Sequence, residues 1–186
     1  MLFSPIILLV SIFIKVESKG PIFFRQIRVG KREKHFKILK FRSMYHSSIN
    51  NSGSVDKGKS IEEARKEYQS TKTNDSRITK VGKFIRKYYI DELPQFWNVF
   101  VGDMSLVGPR PDTPVQEVDY SKRQWQLRNK VRPGITGLAQ LSIKHSKFGH
   151  DMRINMDIFY VKKYSFCMYF YIILKTILHV VKGSSY

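Results

Sequence analysis

Residues 1–14 are apolar apart from Ser4 and Ser11, and Lys15 ends the run. A bilayer crossing needs about 20 apolar residues, so this stretch is too short to span. It lacks the basic n-region and small-residue cleavage site of a signal peptide. A helix apolar all round has no face to show to water, so a membrane anchor is expected rather than a helix of a soluble core. Ser4-Pro5 removes a backbone donor and breaks or bends that helix. The runs 22–24 and 36–41 are predicted as short strands, with 29–31 as the turn between them. The polar stretch 45–59 is predicted as a loop. Residues 60–69 open with Ser60 and Glu63 at capping-box spacing and predict an exposed helix. Ile78, Val81, Phe84, Ile85 and Tyr88 recur at helical spacing and are assigned to the core. Further helices are predicted to begin near Pro94 and to occupy 115–128 and 151–164. The apolar run 165–181 is interrupted by Lys175 and His179. Its predicted place is the headgroup plane, with the lysine snorkelling, in preference to a crossing. The fold class expected is α+β, predominantly helical, with a small β-hairpin and membrane-associated helices.

Composition adds a constraint on partners. The 186-residue chain carries a formal charge of +18, which calls for an anionic partner: nucleic acid, an anionic membrane face or a phosphorylated substrate. Cys167 is the single cysteine, so no disulfide can form within the chain. The five histidines show no metal-ligand spacing.

The densest chemistry lies in residues 91–111, D-E-L-P-Q-F-W-N-V-F-V-G-D-M-S-L-V-G-P-R-P. Asp91 and Glu92 offer oxygen ligands at one end. Arg110, between two prolines, offers at the other a fork of donors that keeps its charge. This pair of features suits a metal-bound phosphate ester: Arg110 would grip phosphate oxygens while a carboxylate holds a divalent ion or attacks phosphorus. Taken singly, each half has a plainer reading. The acidic doublet could cap the helix near Pro94, and Pro-Arg-Pro could be a rigid loop.

Together, D-E-L-P-Q-x-x-N-V followed by G-D-M-S-x-V-G-P-R-P resembles the signature of the bacterial sugar transferases, the monotopic phosphoglycosyl transferases. The likeness extends to K-F-R-S-M at 40–44, to D-x-R-x-T-x-x-G-x-x-x-R at 75–86, and to R-P-G-I-T-G-L-A-Q at 132–140. It implies transfer of a sugar 1-phosphate from a UDP-sugar to polyprenyl (undecaprenyl) phosphate, through a covalent aspartyl-phosphosugar, with release of UMP. Capsule, exopolysaccharide, O-antigen or glycoprotein glycan synthesis would begin this way. By the same resemblance Asp91 is the nucleophile and Glu92 its assistant. Lys40, Arg42, Arg77, Arg86, Arg110 and Arg132 bind the phosphates, with surface exposure the alternative for Arg77 and Arg86, and loop structure for Arg132. Mg²⁺ is the implied cofactor, with Asp91 and Asp157 as its ligands. The implied partners are the UDP-sugar, the polyprenyl phosphate and membrane lipid, without nucleic acid, and with homodimerisation left open. The implied location is the cytoplasmic face of a bacterial inner membrane. Residues 1–18 would be the anchor, broken at Ser4-Pro5 and re-entrant, and 19–186 the catalytic domain. Only three residues precede Ser4, so the anchor is expected to be truncated, its start misassigned, or its insertion different. Tyr89, where relatives carry a small hydroxyl residue, and 141–145, where they often show Asn-Gly-Arg, depart from the pattern. The rival from another class is a non-catalytic basic module for anionic lipid or nucleic acid, supported by the net charge and by the basic-aromatic interleaving of 23–41.

Overall fold

A computed structural model describes residues 4–46, 59–68, 75–142 and 150–181. The loop expected at 45–59 lies largely outside these residues, as do the end of the helix expected at 60–69 and most of the departure at 141–145. So do residues 1–3, which bear on the expected break at Ser4-Pro5.

The chain opens with helix α1 (Ser4–Glu17), in which Pro5 occupies the first turn, where its missing N–H costs nothing. Strands β1 (Phe23–Val29) and β2 (His35–Phe41) then pair antiparallel, from Phe23 opposite Phe41 to Val29 opposite His35. The hairpin is longer than the apolar runs suggest, because Arg25, Gln26 and Arg28 continue β1 with polar side chains. A 3-10 turn at Lys31–Glu33, with Arg32 and Glu33 at φ 55° and 62°, closes it.

Helix α2 (Ile61–Glu67) starts at the predicted Ser60/Glu63 capping box. Helix α3 (Lys80–Lys87) starts at Thr79, so Ile78 lies just before it. The assignment of Ile78, Val81, Phe84, Ile85 and Tyr88 to the core is corrected: Ile85 is buried and Val81 packs beside it, but Phe84 and Tyr88 are 59% and 38% exposed, because this short helix packs against the core on one side only. A 3-10 turn (Ile90–Glu92) leads into α4 (Gln95–Phe100). Strand β3 (Ser105–Val107) pairs in parallel with β4 (Gly134–Thr136). Each has three residues, too few for a period-two pattern to register in the sequence. Their approach requires glycine, since a Cβ on Gly134 would lie 2.1 Å from the Gly108 nitrogen.

The single helix predicted over 115–128 is corrected to two elements. A 3-10 segment (Pro114–Asp119) ends at Tyr120, and α5 (Lys122–Arg128) restarts from a Ser121/Gln124 capping box. The serine side chain competes for the backbone N–H groups there and so begins a new helix. Helices α6 (Leu138–Ser142), α7 (His150–Lys163) and α8 (Phe166–Val181) complete the fold. The expected α+β class, mostly helical with a small hairpin, stands.

The core is divided. Val10 and Ile14 of α1 pack with Phe41 and Ile85. Val29 packs with Tyr120, Trp125 and Ile154. Ile172 of α8 packs with Val107 and Tyr160. The other faces of α1 and α8 are apolar and exposed, at Leu8, Leu9, Ile12, Phe13 and Val16 on one helix and Phe166, Phe170, Leu174 and Leu178 on the other. No helix among the described residues is long and apolar enough to cross a membrane.

Two contacts tie the end of α1 to the rest of the molecule. The Glu17 carboxylate accepts from the N–H groups of Lys80 and Val81 at 2.6 and 2.9 Å, capping α3 from a distance. Arg42 closes the other side. Its guanidinium donates to the carbonyls of Ile14, Ser18 and Lys19 at 2.7–3.2 Å, pinning the last turn of α1 and the two residues that follow it. Glu17→Ala should therefore lower stability by about 1 kcal/mol, read as a shift in urea midpoint at unchanged slope. An unchanged midpoint would mean that water caps α3 equally well.

Candidate active site

Asp91 and Glu92 are placed by three local devices. Thr79 caps α3 by accepting from the Gly82 N–H at 2.8 Å. After α3, Tyr89 takes a left-handed conformation (φ 57°, ψ 17°), which costs a non-glycine residue about 1 kcal/mol. It turns the chain so that Asp91 is buried at 8% exposure. Asn98 of α4 then docks on the free edge of β2. Its amide accepts from the Leu39 N–H at 2.9 Å and donates to the Lys37 carbonyl at 2.9 Å. The side chain thus imitates a neighbouring strand and brings the acidic turn against β2.

Lys40 of β2 meets the turn there. Its Nζ donates to Glu92 Oε1 at 2.6 Å, with the two side chains 16% and 15% exposed. Burial pushes the Glu92 carboxyl up, but the charges of Lys40 and Arg110 and the Lys40 hydrogen bond outweigh it and hold it below its usual range. Burial lowers Lys40 in turn, against the pull of Glu92. Asp91 fares differently. Desolvation raises it to about 6, the adjacent Glu92 adds to the rise, and Lys40, Arg86 and Arg110 oppose it. Two neighbouring carboxylates are thereby separated into one fully ionised and one poised near neutrality.

The Arg86 Nε donates to Ser43 Oγ at 2.8 Å, and burial lowers the arginine while Asp91 raises it. Arg110 is exposed on the loop after β3. Its charge is felt at Lys40, Glu92, Asp91 and Arg86 alike. Lys40, Arg86, Arg110, Asp91 and Glu92 therefore form one electrostatic group, three cations around two acids.

Of the other sequence-predicted residues, Arg77 borders the group, its charge felt at Arg86, and Arg42, Arg132 and Asp157 are engaged elsewhere. Arg42 is spent on the end of α1, as described. Arg77 forks onto Asp75 at 2.6–2.8 Å. Arg132 is exposed beside Gly102. Asp157 is buried, and its Oδ2 accepts from Arg128 Nε at 3.0 Å. Burial raises Asp157 while Arg128 holds it down. Among the described residues no cluster of three or more His, Cys, Asp or Glu side chains could hold a metal by itself. A Mg²⁺ ion is commonly held by one or two carboxylates plus substrate phosphates. Asp91, whose carboxylate has no hydrogen-bond partner among the described residues, fits that donor set.

A second charged group lies behind the Pro-Arg-Pro loop, and sequence reasoning missed it. Arg128, buried on α5, faces Asp112 Oδ2 at 3.3 Å as well as Asp157. Arg153 of α7 donates to Asp112 Oδ1 at 2.8 Å, and the Tyr120 hydroxyl also donates to Asp112. Burial works against the charge on Asp112, but Arg128 and Arg153 overcome it and hold the carboxyl at about 2.

Comparison with known proteins adds the lineage. The model of a family described as bacterial sugar transferase matches residues 1–183. A UDP-N-acetylgalactosamine-undecaprenyl-phosphate N-acetylgalactosaminephosphotransferase of Aeromonas hydrophila is 41% identical over 186 residues, 98% of this chain and 40% of that protein. A UDP-glucose:undecaprenyl-phosphate glucose-1-phosphate transferase of Klebsiella pneumoniae is 41% identical over 95% of this chain and 36% of its own length. A transferase of the same description from Caulobacter vibrioides is 38% identical over 95% of the chain and 62% of its length. The chain thus spans less than two thirds of each of these relatives.

Proposed function

The chain belongs to the bacterial sugar transferase family, and from that premise we propose that it moves a sugar 1-phosphate from a UDP-sugar to undecaprenyl phosphate. One observation carries the reading: Asp91, a buried carboxylate with no hydrogen-bond partner among the described residues, lies within the field of Lys40, Arg86 and Arg110. Those cations outnumber the acids beside them, and a diphosphate supplies the missing negative charge. An Asp91 oxygen attacks the phosphorus that bears the sugar. The bond from that phosphorus to the bridging oxygen breaks, and UMP leaves with the electron pair. A phosphate oxygen of the polyprenyl acceptor then attacks the same phosphorus and frees Asp91. Glu92, held by Lys40, stays ionised and keeps the turn in place. Asp91 and the substrate phosphates would hold Mg²⁺, which screens the repulsion between an anionic nucleophile and an anionic diphosphate.

The exposed apolar faces of α1 and α8 support a seat in the lipid headgroup layer, which we place on the cytoplasmic face of the inner membrane. One substrate is soluble and the other carries an apolar tail, so the reacting phosphorus must sit where both can reach.

The test incubates membranes holding the protein with undecaprenyl phosphate, Mg²⁺ and a panel of UDP-sugars, UDP-N-acetylgalactosamine and UDP-glucose among them, and assays UMP. Release with one or more donors is expected. Excess EDTA should suppress it by about a hundredfold or more, with recovery on adding Mg²⁺. A protein that binds membranes or polyanions but releases no UMP with any donor would overturn the proposal.

A further inference from the structure

The Pro109-Arg110-Pro111 loop has an unusual way of being held. Its two prolines lack N–H groups, so neither can anchor it by donating. Four successive carbonyls accept instead, from donors on β4, α5 and β1. Pro109 O accepts from the Gly134 N–H at 2.9 Å. Arg110 O accepts from the Arg128 guanidinium. Pro111 O accepts from Arg28 Nη1 at 3.0 Å. Asp112 O accepts from the Val29 N–H at 2.9 Å. The two middle anchors are side chains, and both are arginines.

Neither arginine is an ordinary surface charge. Arg28 lies on β1, on the face of the hairpin that also carries Lys40, and its Nη2 is steered by Gln26 Oε1 at 2.5 Å. Its distance from Pro111 along the chain is 83 residues. Arg128 is 2% exposed and fixed in direction by Asp112 and Asp157. A guanidinium is rigid and planar, so committing a second nitrogen narrows the direction of the donor aimed at the loop; on Arg28 that second nitrogen is Nη2, while Nε has no partner among the described residues. Two such donors on adjacent carbonyls fix the loop backbone at Arg110, whose exposed side chain is then left to reach outward.

We propose that Arg28 and Arg128 are positioning residues, which hold the Arg110 guanidinium on the Asp91 side of the loop so that it meets a nucleoside diphosphate without reorganising. This rests on the reading of Arg110 as a diphosphate grip. Neither arginine contacts the reacting atoms. Their contribution is to remove loop freedom that binding would otherwise have to restrict.

Arg28→Lys and Arg128→Lys keep the charge but lose the directed donor. Each is made alone and in an Arg110→Ala background, and the Kd for UDP with Mg²⁺ is measured by titration calorimetry on the full chain. Each lysine variant alone should weaken UDP binding about tenfold, within the range of coupling found between contacting residues. With Arg110→Ala already present, the same changes should weaken it by less than about twofold, since they act only through that side chain. Arg28→Lys leaves the ion pairs of Asp112 and Asp157 in place, so it reports even if Arg128→Lys fails to fold. An equal loss in both backgrounds, or no loss in the intact protein, overturns the inference while leaving Arg110 as the grip. If Arg110→Ala does not change the Kd, the grip itself is wrong and the inference falls with it.

Discussion

Asp91→Asn should abolish UMP release from the UDP-sugar, by about 10⁴-fold or more, while UDP still binds. An amide cannot form the acyl phosphate, and loss of a nucleophile typically costs this much. The same substitution should leave the fold intact and change its pH response. Asp91 is raised from 3.8 to about 6 by burial, so the folded protein binds a proton there more tightly than the unfolded chain does. Stability therefore falls as pH rises from about 4 to about 6, by up to about 3 kcal/mol. The amide of the variant carries no such penalty, so Asp91→Asn should gain on the wild type above about pH 6 and show no gain below about pH 4. Wild-type kcat/KM for the UDP-sugar should rise with pH through about 6 and then level, because attack needs the ionised carboxylate. Urea midpoints across pH and single-turnover UMP release check the two halves separately. Residual turnover near the wild-type rate would show that another group is the nucleophile.

Arg128→Met should be strongly destabilising. It leaves Asp157 buried without its cation and leaves Asp112 with Arg153 and Tyr120 alone. Removing one partner from a buried ion network costs about 3–5 kcal/mol, mostly the penalty of the stranded charge. The deficit should narrow as pH falls, because protonation relieves an unpaired carboxylate. Adding Asp157→Leu should restore much of the loss, since an apolar pair of similar volume needs no compensation. Thermal melting of the single and double variants reads this directly. A melting point for Arg128→Met within about 2 °C of the wild type, well under the shift such a loss entails, would mean that water reaches the network.

The hairpin and the capping box at Ser60 are local signals, and they are legible along the chain. The spacing from Ile78 to Tyr88 marks helix α3 but not its burial, since Phe84 and Tyr88 are exposed. The block from Asp91 to Pro111 is equally legible, because its chemistry is contiguous in sequence, although the strand β3 inside it is not. What escapes depends on distance in sequence. Arg128 and Arg153 read as members of mixed-charge helices, and nothing near them in the chain points to Asp112. Arg28 looks like one more basic residue near the anchor, yet strand alternation sends it to the Lys40 face. Arg42, expected at the phosphates, sits beside Lys40 in sequence and points the other way, onto the end of α1. The period-two rule gives opposite faces to residues one apart, not to 40 and 42. Arg42, however, lies just past the end of β2, where that rule no longer applies. The strands β3 and β4 leave no pattern because three residues each are too few to make one.

The brackets at the end of α1 carry a mechanical consequence. Glu17 locks that helix to the start of α3, and Arg42 locks it to the segment just past Lys40. From α3 the path to Asp91 is one turn of backbone. No slack tether separates the greasy rod from the reacting oxygen, so the two travel as a rigid lever. With α1 seated in lipid as proposed, the depth to which it sinks sets the altitude of the nucleophile above the acyl chains, much as a keel sets a hull's waterline.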